Sequence, residues 1–320
     1  MNGKKVLRVL LACALIAAVI PSCRRIPRIA LTERDLQLSI EHGGYMRELI
    51  LHVPKNHEQL NAIPLVIALH GGGGTAKGMI RLTLARFNEL ADMYGFIAVY
   101  PEGLGKSWND GREDPISYAH KNNIDDIGFL SKIIQQTVKQ YHADPNAVFV
   151  TGISNGGFMC MRVSRELADQ VKAVAPVCAT IPVATQDLHS ASPAMNVLLI
   201  NGTDDPLVPY SGGDVQVLGK KRGRVISTDE TIELFRLRTG CSDNPHIEEF
   251  TDKDPEDGTR AIRYTYTNAE TGDKVVLLKM TGAGHTWPGG WQYLAEKVIG
   301  KTSRDINACD EIWSFFNSLE

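Results

Sequence analysis

The stretch Ala147-Val-Phe-Val-Thr-Gly-Ile-Ser-Asn-Gly-Gly-Phe-Met159 decides how the rest of this 320-residue chain is read. Four apolar or β-branched residues, Val148 to Thr151, predict a short buried strand. Gly152-Ile153-Ser154-Asn155-Gly156 follows in the pattern G-x-S-x-G, and Phe158–Ala168 reads as a helix. Strand, sharp turn and helix in that order make a nucleophile elbow. So tight a turn strains the backbone at Ser154 and brings residues two positions to either side too close for a Cβ. Glycine at 152 and 156 removes that clash. The Ser154 hydroxyl is lifted above the sheet, and the Asn155 N–H lies at a helix start, where developing negative charge is stabilised. A bare G-x-S-x-G arises by chance roughly 0.1–0.2 times in a chain this rich in glycine, so the motif takes its meaning from its partners.

Those partners follow from the chemistry. A serine hydroxyl is a poor nucleophile near neutral pH, so the elbow calls for a histidine base and an orienting carboxylate further along. The apolar strand Asn196–Gly202 runs into Thr203-Asp204-Asp205-Pro206, two carboxylates just past a strand end. Val275–Met280 runs into Thr281-Gly282-Ala283-Gly284-His285-Thr286-Trp287-Pro288-Gly289, which puts His285 on a Gly-rich loop after the last strand. Spacing alone does not choose between Asp204 and Asp205. Upstream, Pro64–His70 is a continuous apolar run, as in a strand buried on both faces, and it ends in His70-Gly71-Gly72-Gly73-Gly74. Such a loop lets main-chain donors approach an oxyanion. A phosphate loop is excluded, because no Gly-Lys-Ser/Thr follows and Rossmann spacing is absent. His70 itself is read as a brace for the loop.

Around these motifs, strands and helices alternate. Arg34–Glu41 and Tyr45–Pro54 flank Gly43-Gly44 as an antiparallel hairpin, Gly78–Met93 has helical periodicity, and Phe96–Tyr100 is a short buried strand. Pro101–Asn123 reads as a long loop. Asp125 caps a helix that runs to about Tyr141, with an apolar stripe through Ile127, Leu130, Ile133, Ile134 and Val138. Val171–Val177 is a further strand, Asp229–Thr239 a helix, Ala261–Met280 a hairpin and Ser303–Leu319 a final helix. The alternation predicts an α/β fold with a mostly parallel sheet and helices on both faces. Nothing resembling a linker divides residues 23–320, so one catalytic domain is expected.

Residues 1–22 stand apart. Lys4, Lys5 and Arg8 precede the apolar run Val9–Ile20, the pattern of a signal peptide. Ile20-Pro21-Ser22-Cys23 resembles a bacterial lipobox, so export is expected and Cys23 is a candidate lipidation site, the one membrane link. Removing the leader takes away three basic residues and no acidic one, leaving 31 basic against 37 acidic residues and a net charge of −6. An acidic surface without a basic stripe argues against nucleic-acid binding. Cys160 and Cys178 read as buried thiols, whereas Cys241 and Cys309 lie in polar contexts where an oxidising compartment permits pairing. Asp252–Gly258 is similar to a calcium loop, but Asp257 occupies the place that requires glycine. No HExxH or Cys/His cluster suggests zinc, so no metal or cofactor is expected. Trp108, Trp287 and Trp291 are candidates to line a substrate cleft.

Taken together, Leu69-His70-Gly71-Gly72, Tyr100-Pro101-Glu102-Gly103, Asp126-Ile127-Gly128-Phe129-Leu130, the elbow, Asn201-Gly202-Thr203-Asp204-Asp205 and Gly284–Gly289 resemble the polyhydroxybutyrate depolymerase and feruloyl esterase family of secreted α/β-hydrolases. The resemblance runs from about residue 45 to Ile312-Trp313-Ser314-Phe315-Phe316. It implies Ser154 as nucleophile, His285 as base and, from the family's G-T-x-D pattern, Asp205 as acid. The N–H groups of Gly72 and Asn155 become the oxyanion donors; many relatives carry Cys where Gly72 stands, and only the main chain matters there. The implied substrates are feruloyl or acetyl esters of plant polysaccharide, with short hydroxyalkanoate polyesters as the alternative. A different class of reading is a non-catalytic envelope protein that uses the same scaffold for binding.

Overall fold

The computed structural model describes residues 26–319, so the leader and Cys23 lie outside the described residues. The chain opens with the expected hairpin, β1 (Asp35–His42) and β2 (Tyr45–His52), turning on Gly43 and Gly44. Next come β3 (Ile63–Leu69), α1 (Ala76–Leu82), α2 (Arg86–Tyr94) and β4 (Ile97–Pro101). A short helix α3 (Tyr118–Lys121) leads to α4 (Asp126–Tyr141), β5 (Ala143–Ile153) and α5 (Asn155–Glu166). Then follow β6 (Ala173–Val177), α6 (Gln186–Ser190), β7 (Asn196–Gly202), β8 (Gly213–Val217), β9 (Lys220–Val225) and α7 (Thr228–Thr239). The chain closes with β10 (His246–Glu249), β11 (Arg260–Thr267), β12 (Lys274–Thr281), α8 (Glu296–Ile299) and α9 (Ala308–Asn317).

Ten strands form one sheet in the order β1-β2-β4-β3-β5-β6-β7-β12-β11-β10. The six from β4 to β12 in that order run parallel, while β1, β2, β11 and β10 add antiparallel edges. Parallel strands need both faces covered, and the residues of β3 show how. Leu65, Ile67 and Leu69 join a core with Phe129, Ile133 and Met159 of α4 and α5. Val66 and Ala68 face the opposite way, toward Phe87 of α2 and Phe316 of α9. This is the α/β-hydrolase fold with its N-terminal antiparallel hairpin. Ser154, Asp205 and His285 follow β5, β7 and β12, so all three emerge at the carboxyl edge of the parallel strands. Among the described residues, no helix is long and apolar enough to cross a membrane.

Four details differ from the sequence reading. The helix expected over 78–93 breaks into α1 and α2, because Leu84 and Ala85 take left-handed backbone (φ 55° and 59°). The 101–123 stretch is not all loop: it carries α3 and is tied down by buried polar contacts. The small β8–β9 sheet and β10 were not anticipated. Cys241 and Cys309, read in polar contexts, are buried, Cys241 in the core on one face of the main sheet and Cys309 in the core on the other, and the pairing left open is not made.

Candidate active site

Ser154 sits at φ 56°, ψ −119°, a conformation disfavoured for any residue with a Cβ. Its own N–H donates to Val177 O (2.8 Å) and its carbonyl accepts from Phe158 N–H (2.7 Å), so the turn is pinned on both sides. A Cβ placed on Gly152 would lie 2.7 Å from the Gly156 carbonyl and 2.8 Å from Leu69 Cβ. One placed on Gly156 would lie 2.7 Å from His70 O. The two flanking glycines are therefore a steric requirement of the elbow.

Beyond β7, Asp205 Oδ1 accepts the N–H groups of Leu207 and Val208, both at 2.8 Å. Its Oδ2 lies 2.7 Å from His285 Nδ1, and both side chains are almost completely buried. A carboxylate only accepts, so Nδ1 carries the proton of this bond, and in the neutral ring Nε2 keeps its lone pair. The His285 loop is fixed through its main chain: His285 N–H donates to Ile299 O (2.6 Å), and Tyr293 Oη donates to His285 O (3.1 Å). Burial pushes the Tyr293 phenol well up, which keeps it a donor. Asp204, by contrast, is exposed and accepts from the Thr203 hydroxyl at 2.9 Å. Of the two neighbouring carboxylates, only Asp205 meets the imidazole.

On the other side of Ser154 lies the glycine loop. A Cβ on Gly71 would come within 3.6 Å of Ser154 Cβ, and one on Gly72 within 3.7 Å of Asn155 Cβ. Neither Gly72 N–H nor Asn155 N–H has a hydrogen-bond partner among the described residues. His70 is a brace: Nδ1 meets Gly71 O at 2.8 Å and Nε2 accepts Gly103 N–H at 2.9 Å. Burial holds its pKa down at about 4, so it is neutral at pH 7. The Asn155 side chain turns away from the turn. Its Oδ1 accepts Trp108 N–H (2.8 Å), and its Nδ2 donates to Trp108 O (3.0 Å) and Asp110 Oδ2 (2.6 Å).

The tryptophans correct an expectation. Trp108 and Trp287 are both 0 % exposed, so neither presents a face to a ligand. The Trp108 indole donates to His70 O (2.8 Å) and lies tilted against the His70 ring at 4.9 Å. Trp287 meets Phe87 edge-on at 6.1 Å within the core. Trp291 is partly buried. Sequence reasoning missed Asp110, Arg112, His120 and Tyr293, and it took Cys178 only for a core thiol. Cys178 Sγ, an Asp205 oxygen and a His285 nitrogen lie within 4.8 Å of one another. That trio has metal-ligand chemistry, but Asp205 and His285 are engaged with each other and burial keeps the Cys178 thiol protonated. The thiol points at Thr286 O, 3.3 Å away. No motif marks any of these residues, since what each does depends on contacts made only in the folded chain, such as Asn155 with Asp110 and Tyr293 with His285.

Comparisons with known proteins bear on this geometry. The family described as "Esterase PHB depolymerase" matches residues 49–219. A putative esterase, NocK, of Nocardia uniformis subsp. tsuyamanensis is 33% identical over 79% of this chain and 73% of its own. Feruloyl esterase B of Piromyces equi is 26% identical over 78% of this chain, a match that spans 45% of that relative's length. Among solved structures, an acetyl xylan esterase from Aspergillus awamori superposes with TM-score 0.53 at 16% identity, over 85% of this chain and 94% of that one, a likeness of fold.

Proposed function

Because the chain belongs to the PHB depolymerase family of esterases and is a carboxylic ester hydrolase, we propose that it works by a Ser154–His285–Asp205 triad on acyl esters carried by plant polysaccharide. The observation that carries the reading is the buried 2.7 Å contact between His285 Nδ1 and Asp205 Oδ2, at the sheet edge where the strained Ser154 also emerges. With Nδ1 committed, Nε2 of His285 takes the Ser154 proton as Oγ forms a bond to the acyl carbon. The carbonyl oxygen becomes an oxyanion and accepts from the N–H groups of Gly72 and Asn155. Collapse of this intermediate breaks the bond to the alcohol, which leaves with the proton from His285. Water repeats the sequence against the acyl-enzyme, and the free acid departs. Asp205 remains ionised and stabilises the imidazolium formed in each half.

Feruloyl and acetyl esters are favoured by the names of the relatives, a feruloyl esterase and acetylxylan esterases. Short hydroxyalkanoate polyesters are the second reading, favoured by the family description itself. Export by residues 1–22 and acylation of Cys23 belong to the same proposal, and the mass of the mature N-terminus checks them. A panel of feruloyl, acetyl-xylan, hydroxybutyrate-oligomer and p-nitrophenyl esters decides the substrate. Polysaccharide acyl esters are expected to give the highest kcat/KM; a clear preference for the oligomer reverses the order, and no turnover of any ester sinks the proposal.

A further inference from the structure

We infer that Asp110 is a positioning residue for the oxyanion hole: a buried carboxylate that, by gripping the Asn155 side chain, holds the Asn155 N–H where the negative charge develops. The inference rests on the roles proposed above for Ser154 and Asn155. Asp110 lies in the stretch between β4 and α3, and its side chain is completely buried. A lone carboxylate in such a place is costly unless it is paired and hydrogen-bonded, and here four groups converge on it. Arg112 Nε and Nη2 donate to Oδ2 at 3.0 and 2.8 Å, and Arg112 N–H donates to Oδ1 at 3.0 Å. His120 Nε2 lies 3.0 Å from Oδ1. The fourth group is the Asn155 amide, at 2.6 Å the shortest of these contacts. Burial alone pushes the Asp110 carboxyl up, but Arg112 and His120 outweigh it and hold the group well below the usual range. That favours the anion at neutral pH.

An anion grips an amide N–H more strongly than a neutral acceptor does. Asn155 is the first residue of α5, and its side chain is held at three points, two on Trp108 and one on Asp110. None of those contacts reaches the reacting centre. Their effect is to fix Cα and Cβ of residue 155, and so the peptide plane between Ser154 and Asn155. That plane carries the donor, and it adjoins the strained φ of Ser154, a conformation that persists only where its surroundings over-determine it. Gly72, the second donor, lies beside the same side chain: a Cβ on Gly72 would come within 3.7 Å of Asn155 Cβ. The Asp110 charge does not oppose the oxyanion, because the Arg112 guanidinium neutralises it at contact distance. Arg112 in turn lies 4.0 Å over the Phe158 ring and donates to Arg222 O of β9 (3.3 Å). A purely structural Asp110–Arg112 pair would serve that loop, the Phe158 ring and β9; the separate bond to Asn155 is what ties it to the oxyanion donor.

The test uses Asp110→Asn, which keeps the shape and removes the charge, and Asn155→Ala, which keeps the N–H and removes its anchor. For each, kcat and KM on p-nitrophenyl acetate are measured beside the inhibition constant of a trifluoromethyl ketone, whose adduct with Ser154 carries an oxyanion. Each variant is expected to lose about 10- to 100-fold in kcat, somewhat less than deletion of a donor, with KM within about twofold. Ketone affinity should fall by the same factor, and the double variant should be no worse than the poorer single one, as for residues acting as a unit. A folded Asp110→Asn with kcat within threefold of the parent overturns the inference. So does a loss of kcat that leaves ketone affinity untouched. If Asp110→Asn does not fold, Asn155→Ala decides alone: unchanged kcat and ketone affinity there reject the role. Fluorophosphonate labelling of the parent at Ser154 is the separate control, and its failure counts against the triad that both readings share.

Discussion

On the β7–β12 side of the site, Asp205 and His285 meet directly, each on the loop that follows its own strand, 2.7 Å apart and out of water. On the β3–β5 side, Gly72 and Asn155 offer only main chain. The groups that hold that main chain come from residues 70 and 108–110, among them a second buried carboxylate. In the proposed mechanism one side acts through side chains placed by strand ends, and the other through backbone placed by side chains. The difference teaches where function is visible in a sequence. A residue whose own side chain acts must be of the right type at the right strand end. A backbone donor can be any residue, and its supports can come from any loop that reaches it.

The largest effect belongs to the group both sides serve. Ser154→Ala is expected to lower kcat by about 10⁴- to 10⁶-fold on every ester while the melting temperature stays within a few degrees. Turnover of p-nitrophenyl acetate at even a tenth of the parent rate ends the assignment of the elbow. On the acid–base side, Asp205→Asn should cost about 10⁴-fold in kcat, because an amide can hold the wrong imidazole tautomer and carries no charge. Asp204→Asn, one residue away and exposed, should cost less than about tenfold. Equal losses would mean that the buried contact is not what decides the role.

The brace on the oxyanion side gives a pH signature. His70 titrates at about 4 in the folded chain, against 6.5 for an unburied histidine, because burial disfavours the imidazolium. Between these values the unfolded chain binds the extra proton, so stability rises with pH across the window. The neutral brace therefore contributes fully above about pH 6.5, and as pH falls toward 4 about 3 kcal/mol is lost. Urea denaturation of the parent and of His70→Gln at several pH values checks this. The difference between the two should shrink as pH drops from 7 to 4; parallel curves would show that His70 is not the titrating group.

How much could be read beforehand follows the same division. The β-hairpin, the buried strands and the elbow carry strong local patterns, and the structure has them close to where those patterns put them. The expected helix over 78–93 is broken in two, a break the sequence hides because the apolar stripe continues through Leu84 and Ala85, whose left-handed turn no propensity signals. Strands β9 and β10 were hidden for the opposite reason. Lys220-Lys-Arg-Gly-Arg224 and His246-Ile-Glu-Glu249 are polar or exposed throughout, so no two-residue alternation marks them. In the site, only the family pattern distinguishes Asp205 from Asp204; no spacing rule chooses between them. Asp110 had no signal at all: its importance lies in what it touches, 45 residues away along the chain.

The smallest effect separates two equally buried indoles. Trp108→Phe keeps most of the apolar volume and the main-chain pairing with Asn155, but it removes the N–H that donates to His70 O at 2.8 Å. A buried carbonyl left without that donor costs about 1–3 kcal/mol. The carbonyl belongs to the residue where the glycine loop begins, so part of the cost should appear as looser placement of Gly72. The expected result is a three- to tenfold lower kcat with KM unchanged, on the scale of the weaker oxyanion contacts. Trp287→Phe removes an indole of equal burial that packs on Phe87 in the core. It should lower the melting temperature and leave the kcat of the folded enzyme within about twofold, since large-to-smaller core changes act on stability first. Measuring both variants with the same ester sets the contrast: if Trp287→Phe loses as much kcat as Trp108→Phe, the acid–base side depends on distant packing as much as the oxyanion side does.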